Sequence, residues 1–173
     1  IDGAVRMKRL IQDLLTYSRI GTTEEDFVEV NTTEVLHETL LVYQQVIQDK
    51  NAEIIAEPLP VIRGIASLIG QIFDNLLSNA LKYSDKTRPV IHISASTTDT
   101  HHVFCFRDNG IGIDPRHFDT IYLPFKRLHN RNEYSGTGIG LAVCKKIAEK
   151  HTGQIWVESK PGDGSAFYFS VMH

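Results

Sequence analysis

Basic residues are not in excess in this chain. Lys and Arg number 18 against 21 Asp and Glu, a formal charge of −3. Neutralising nucleic-acid phosphates needs a basic surface, so nucleic acid is not an expected partner. Long apolar runs are missing too; the longer ones are broken by polar residues, and no membrane contact is expected of this segment. The first ten residues carry Asp2, Arg6, Lys8 and Arg9, which does not fit a signal peptide. No methionine opens the chain, and it is expected to be cut from something longer. Cysteine is scarce. Cys105 and Cys144 each sit in an apolar pattern and are expected to be reduced core thiols of a cytoplasmic domain. There is no internal repeat and no low-complexity tract. What remains is 173 residues, 42% hydrophobic and 23% charged, which suits one compact domain with an appended element.

Val5, Met7, Leu10, Ile11, Leu14 and Leu15 recur near helical spacing and predict one helix over residues 1–20, ended by Gly21-Thr22-Thr23. Its apolar stripe must be buried, either on the rest of this chain or on a bundle partner such as a second copy. After the acidic linker Glu24-Glu25-Asp26, Phe27–Val30 predicts a short strand. Asn31, Thr32 or Thr33 then caps a helix to about Asp49. Strands are expected at 53–56 and 61–63, a helix over 66–83, and strands at 90–96 and 102–107. Pro115 opens a short helix. Residues 124–137 show no apolar period and are long enough for a lid. A helix over 138–150 and strands at 154–159 and 166–172 complete the chain. This order predicts a sheet covered by helices on one face.

Glycine is informative by placement. Eight of the twelve glycines lie after Arg107. Gly136-Thr137-Gly138-Ile139-Gly140-Leu141 directly precedes a helix, where exposed N–H groups and the helix dipole favour phosphate. Taken alone, the triplet equally fits a flexible loop and helix cap. It is neither a Lys-bearing P-loop nor a dinucleotide fingerprint. Asp108-Asn109-Gly110-Ile111-Gly112 ends a strand. Its carboxylate can accept a hydrogen bond from an exocyclic amine and so select adenine, or simply close a turn. On the helix Gln71–Tyr83, Asn75, Asn79 and Lys82 share a stripe with Gln71 and Ser78, while Phe73, Leu76, Leu77, Ala80 and Leu81 cover the other side. Asparagine costs several tenths of a kcal/mol in a helix relative to alanine. Two of them one turn apart above a lysine suggest a ligand face: amide oxygens suit Mg²⁺, and the lysine suits a phosphate. An ordinary solvated face is the alternative.

Together and in order, Asn75-Leu-Leu-Ser-Asn79-Ala-Leu-Lys-Tyr, Asp108-Asn-Gly-Ile-Gly-Ile, Pro124-Phe-Lys-Arg-Leu, Gly136-Thr-Gly-Ile-Gly-Leu and Gly162-Asp-Gly-Ser-Ala-Phe resemble the boxes of sensor histidine kinases. The subgroup they most resemble is the phytochrome-like and multi-sensor kinases. The resemblance covers about residues 27–172. It implies an α+β two-layer sandwich of the Bergerat type, a mixed sheet with helices on one face, preceded by one dimerisation-type helix. It also implies ATP and Mg²⁺ as cofactors. Asn79 resembles the Mg²⁺ ligand, with Asn75 supporting the metal or phosphate side. Lys82 resembles the phosphate contact, Tyr83 the aromatic near adenine, and Asp108 the adenine-reading carboxylate. Gly110 and Gly112 would let base and lid backbone come close. Arg127 resembles the γ-phosphate arginine. Gly136, Thr137, Gly138 and Gly140 would line the phosphates, Ile113, Ile139 and Leu141 would wall the purine, and Ser165 would support the water network around Asp108.

Asp13-Leu-Leu-Thr-Tyr-Ser-Arg resembles the end of the second helix of the dimerisation hairpin, which places residues 1–22 in that hairpin and 27–173 in the catalytic domain. The resemblance implies a homodimer in the longer protein, a phosphoacceptor hairpin domain of the same protein and a response regulator as partners. The phospho-accepting histidine segment is absent; His37-Glu38 echoes it only superficially. The remaining histidines show no metal-ligand spacing. Relatives that hydrolyse ATP carry a glutamate base where Asn75 stands, so the expected activity is phosphoryl transfer to a histidine outside this chain, with Asn75, Lys82 and Arg127 stabilising charge. An ATPase, an anti-sigma-type Ser/Thr kinase and a passive ATP-binding module are the alternatives.

Overall fold

The computed structural model describes residues 2–20, 26–84, 88–128 and 136–173. Five helices and seven strands follow in the order α1 (Asp2–Arg19), β1 (Val28–Asn31), α2 (Thr32–Val42), α3 (Gln44–Asp49), β2 (Glu53–Ala56), β3 (Val61–Gly64), α4 (Ala66–Lys82), β4 (Val90–Thr97), β5 (His101–Asp108), α5 (Gly140–Lys150), β6 (Ile155–Ser159) and β7 (Ser165–Met172). A short 3₁₀ turn covers Pro115–His117, with the Asp114 side chain capping it. Strands β2-β4-β5-β7-β6 form one mixed sheet, in which only the β2–β4 pair is parallel. Strands β1 and β3 form a separate antiparallel pair.

Period-2 alternation on β5 sends Phe104 and Phe106 to one face of the sheet and Cys105 to the other. Phe104 stacks on its cross-strand partner Phe169 at 4.7 Å, and Phe73 of α4 packs within 5.3 Å of Phe106 and 5.9 Å of Phe104. Burying an aromatic or aliphatic side chain of this kind contributes about 1.5–3 kcal/mol. The apolar side of α4 (Ile69, Ile72, Phe73, Leu76, Leu77) and the Val143–Ile147 stripe of α5 lie buried on the same sheet face. The sheet is thus covered by helices on one face, as an α+β sandwich preceded by a helix. Cys144 is buried, but Cys105 is only half-buried, on the outer face; both are free thiols, and Cys105 is not the core residue its apolar neighbours suggested.

Two helix boundaries differ from expectation for local reasons. The helix expected to reach Asp49 breaks at Tyr43 (φ −95°, ψ 5°), whose hydroxyl donates to Asp74 of α4. Asn31 supplies the cap of α2, accepting the N–H groups of Thr33 and Glu34. α5 starts at Gly140 rather than Gly138, because Gly138 has φ +77°, a left-handed conformation that cannot propagate a helix. Half of the lid expected over 124–137, residues 129–135, lies outside the described residues, as do the expected helix end Gly21-Thr22-Thr23 and Glu24 and Glu25 of the expected linker. No described helix is long and apolar enough to cross a membrane.

The described part of the α1 apolar stripe stays exposed. Met7, Ile11, Leu14 and Leu15 are all about half exposed or more. The side turned to the domain instead carries Asp13, which accepts from Thr137, and Tyr17, which meets Lys146 of α5; Ile20, just past the helix, is buried.

His151 joins two layers. It is 2% exposed; its Nε2 accepts the N–H of Ile65 at 3.1 Å and its Nδ1–H donates to the Ile147 carbonyl at 2.8 Å. The bond from Ile65 requires an unprotonated Nε2 and hence the neutral ring, and burial lowers the pKa below the ordinary histidine value, against the Ile147 bond that raises it. In the window below about 6.5 the unfolded chain therefore takes up a proton that the folded chain does not, so stability falls as pH falls. Urea unfolding at pH 7.5 and 5.5 should show a lower midpoint at the acid value. A His151→Phe variant should lose about 1–3 kcal/mol at pH 7.5 by orphaning the Ile65 N–H, and should show a weaker acid dependence.

Candidate functional site: a cleft between α4 and the glycine clusters

The helix α4 delivers its polar stripe to one cleft because its opposite side is committed to the core. A 3.6-residue period places Asn75, Ser78, Asn79 and Lys82 together. The cleft holds about 330 Å³. The ends of β5 and β7 meet α4 there: Asp108 and Ser165 are cross-strand partners, and the N–H of Ile111 donates to the carbonyl of Tyr83 at 3.0 Å. The segment before α5 closes the far side. The N–H of Phe125 donates to the Gly138 carbonyl at 2.9 Å, with Phe125 itself at φ +64°.

Of the residues named from sequence, Asn75, Asn79, Lys82, Tyr83, Asp108, Gly112, Ile113, Arg127, Gly136, Thr137, Gly138, Gly140, Leu141 and Ser165 all line this cleft. Gly110 and Ile139 do not. Ile139 is 1% exposed and continues the buried i, i+4, i+8 stripe with Val143 and Ile147, so it serves the core. Gly110 is glycine because of the protein backbone: a Cβ there would sit 2.5 Å from the Tyr83 carbonyl oxygen. Gly112 lines the cleft, but its Cβ position (φ +71°) would lie 2.0 Å from the carbonyl oxygen of Lys160. The close approach that these two glycines permit is to α4 and to the β6–β7 turn.

Asp108 is fixed and desolvated. Its Oδ1 accepts the N–H groups of Gly110 at 2.8 Å and Ser165 at 3.2 Å, which leaves Oδ2 for a donor in the cleft. Ser159, unremarked in the sequence, stands behind it: its hydroxyl donates to the Gly164 carbonyl, accepts the N–H of Ile113, and lies 2.9 Å from the Ser165 hydroxyl. Burial raises the Asp108 pKa to about 6, against the two N–H bonds that pull it down. A ligand N–H needs the ionised carboxylate, so below about pH 6 binding must first expel a proton. Affinity should then fall by up to about tenfold per pH unit as pH drops below 6, and be flat above 7. A nucleotide titration from pH 5 to 8 checks this; no change down to pH 5 would contradict the role of Asp108.

Two cations converge on the second glycine cluster. Arg127 Nη1 donates to the Gly136 carbonyl at 3.0 Å. Lys82 Nζ donates to Tyr83 Oη at 2.8 Å, lies 4.2 Å from the Tyr83 ring centre, and sits 2.9 Å from where a Cβ of Gly136 would be. The Asn75 carboxamide is turned into the structure: Nδ2 donates to the Gln71 carbonyl at 2.9 Å, and Oδ1 lies 2.6 Å from a Cβ position on Gly140. Gln71 contributes that carbonyl and does not line the cleft. Asn79 makes no hydrogen bond to protein from its side chain among the described residues, and a hard-oxygen ligand on this face fits Mg²⁺. Sequence reasoning missed Asp13, Tyr43, Asp74, Ile111 and Phe167, which also line the cleft. Asp74 lies one position from Asn75, at the edge of the polar stripe, and a wider stripe would have included it.

Residues 64–173 match the family model of histidine kinase-, DNA gyrase B- and HSP90-like ATPases. Over 171 residues the chain is 43% identical to cyanobacterial phytochrome A of Nostoc sp., covering 99% of this chain and 22% of that protein. It is 42% identical to the phytochrome-like protein Cph1 of Synechocystis sp., covering 99% and 23%. The chain thus spans about a fifth of the length of these curated relatives. Among solved structures, full-length ShkA in complex with AMPPNP superposes with a TM-score of 0.81 at 25% identity, covering 94% of this chain and 35% of that one. The nucleotide-free catalytic domain of histidine kinase ThkA superposes with a TM-score of 0.73 at 26% identity, covering 86% and 96%. The chain belongs to the histidine kinase-, DNA gyrase B- and HSP90-like ATPase family, as an ATP-binding catalytic domain of the sensor histidine kinase type.

Proposed function

We propose that this chain binds Mg-ATP in the cleft and donates its γ-phosphoryl group to a histidine that lies outside residues 1–173, on a hairpin domain. Residues 1–22 would be the end of that hairpin's second helix, and 27–173 the catalytic domain. The observation that carries this reading is the convergence of Asp108, Asn79, Lys82 and Arg127 on one cleft between two glycine clusters. In it, Asp108 Oδ2 accepts from the adenine amine, with Ile113 and Leu141 flanking the base and Tyr83 beside it. Gly136, Thr137, Gly138 and Gly140 present backbone to the phosphates at the α5 N-terminus. Lys82 and Arg127 neutralise phosphate charge. Asn79 would hold Mg²⁺, which when bound supplies charge neutralisation between phosphate oxygens. The two sheet-end serines, Ser159 and Ser165, hold the Asp108 side of the pocket.

Hydrolysis is disfavoured by Asn75, because a carboxamide cannot take a proton at neutral pH and its Nδ2 is engaged on the Gln71 carbonyl. The carboxylates of Asp13 and Asp74 that reach the cleft each accept a protein hydroxyl. Phosphoryl transfer in this family type passes onward to a response regulator. The exposed Met7, Ile11, Leu14 and Leu15 stripe fits the rest of a helical hairpin and a second copy, giving a homodimer in the longer protein. Calorimetric titration of the chain with ATP and GTP, with and without Mg²⁺, tests the reading. It requires Mg²⁺-enhanced ATP binding and weak GTP binding; equal affinity for both purines would contradict it.

A further inference from the structure

Helix α1 touches the nucleotide cleft directly. Asp13, Tyr17 and Ile20 recur at spacings of four and three, which puts them on one side of the helix, opposite the exposed apolar stripe. Asp13 lines the cleft, and its Oδ2 accepts the Thr137 hydroxyl at 2.5 Å. One turn on, Lys146 of α5 donates to the Tyr17 carbonyl at 2.8 Å and lies 4.5 Å from the centre of the Tyr17 ring. Tyr17 is in the last turn of α1, where carbonyls lack an intrahelical partner and the dipole end is negative, so a lysine there fastens the helix end. Ile20, just past the end of α1, is buried in the core, 4% exposed.

Thr137 lies within the second glycine cluster, between the two glycines nearest Lys82 and Arg127. While its hydroxyl donates to Asp13 it is not available to a phosphate oxygen. The Asp13 carboxylate also puts negative charge where the most highly charged part of a nucleotide would arrive. We propose that Asp13 is a specificity-determining residue of the cleft: docking of α1 through Asp13 and Lys146 competes with the phosphate chain, selectively weakening triphosphate binding. This rests on the reading of the cleft as an ATP site. Because the coupling is reciprocal, ATP binding loosens the hold of α1 to the same extent that α1 weakens ATP. The helix that enters the domain from the rest of the protein thereby senses how many phosphates the cleft holds.

The test is nucleotide affinity of the whole chain in four forms: wild type, Asp13→Ala, Lys146→Met and the double variant, each with ATP, ADP and adenosine in Mg²⁺. Asp13→Ala should bind ATP about fivefold tighter, the lower end of typical coupling between sites. ADP should gain less, and adenosine nothing. Lys146→Met, which touches no cleft residue named above, should shift ATP in the same direction. The double variant should gain no more than Asp13→Ala alone, because both act through one docked helix. Unchanged ATP affinity in Asp13→Ala overturns the proposal. So does weaker ATP binding, which would make Asp13 a group that holds metal or nucleotide. Adenosine binding that shifts as much as ATP binding overturns it as well. Absence of ATP binding in all four proteins overturns the ATP reading itself, a different result from binding that ignores Asp13.

Discussion

Replacing Asn79 with alanine should remove the Mg²⁺-dependent part of ATP binding while leaving the fold intact. The Asn79 side chain lies on the cleft face of α4, one turn after Asn75 and one before Lys82, and makes no hydrogen bond to protein among the described residues. No described group is left unpaired by its loss. Alanine is also the better helix former by several tenths of a kcal/mol, so thermal stability without nucleotide should hold or rise slightly. The ligand side is different. Losing a hard-oxygen ligand and its orientation should cost about 2–3 kcal/mol of Mg-ATP affinity, roughly 30- to 200-fold. Calorimetry with and without Mg²⁺ separates the two. Wild type and variant should match in chelator and diverge with the metal present. Equal affinity in Mg²⁺ would remove Asn79 from the metal site.

Asp108→Asn should be as damaging to binding, and for a reason that does not touch metal. The two backbone N–H bonds fix one oxygen of the side chain and aim the other at the cleft. An amide can keep the first role, since its oxygen still accepts from Gly110 and Ser165. Its nitrogen then faces the ligand as a donor. A purine amine meets a donor where it needs an acceptor, and an affinity loss of about 10²- to 10³-fold follows. Stability should move the other way. Burial holds the folded pKa near 6, above the ordinary aspartate value. The folded state binds more protons between about pH 4 and 6, so the ionised carboxylate is destabilising above that window. At pH 7.5 the amide should therefore leave thermal stability unchanged or raise it, while ATP affinity collapses. A variant that lost both together would point to a structural aspartate.

Much of this site is legible in the sequence because its signals are local. The α4 stripe follows from helical period alone: Asn75, Asn79 and Lys82 cannot share a helix with Phe73, Leu76, Leu77 and Ala80 without facing opposite sides. The glycine clusters likewise mark the ends of β5 and the start of α5. What stayed hidden depends on contacts distant in the chain. Gly110 and Gly112 look like ligand-approach glycines, yet their Cβ positions collide with Tyr83 and Lys160 carbonyls, partners fixed only by the tertiary fold. Ile139 sits inside a glycine-rich ligand loop and is core because α5 begins one residue later. Tyr43 and Asp74 are 31 residues apart and meet over a helix break that no proline or glycine announces. Asp13 lies 124 residues from Thr137. The α1 stripe is readable as apolar, but the side that carries Asp13 and Tyr17 is the one that meets the domain.

If, as proposed, this chain donates a phosphoryl group to a histidine on a hairpin domain, the transfer can be observed directly. The chain should be incubated with γ-labelled Mg-ATP and a separate hairpin domain bearing the phospho-accepting histidine of a phytochrome-like kinase. Label should appear on the hairpin as an acid-labile, base-stable phosphohistidine, depend on Asn79 and Asp108, and be absent from the chain alone. No transferred label despite measured ATP binding, or rapid release of inorganic phosphate without the hairpin, would contradict the account.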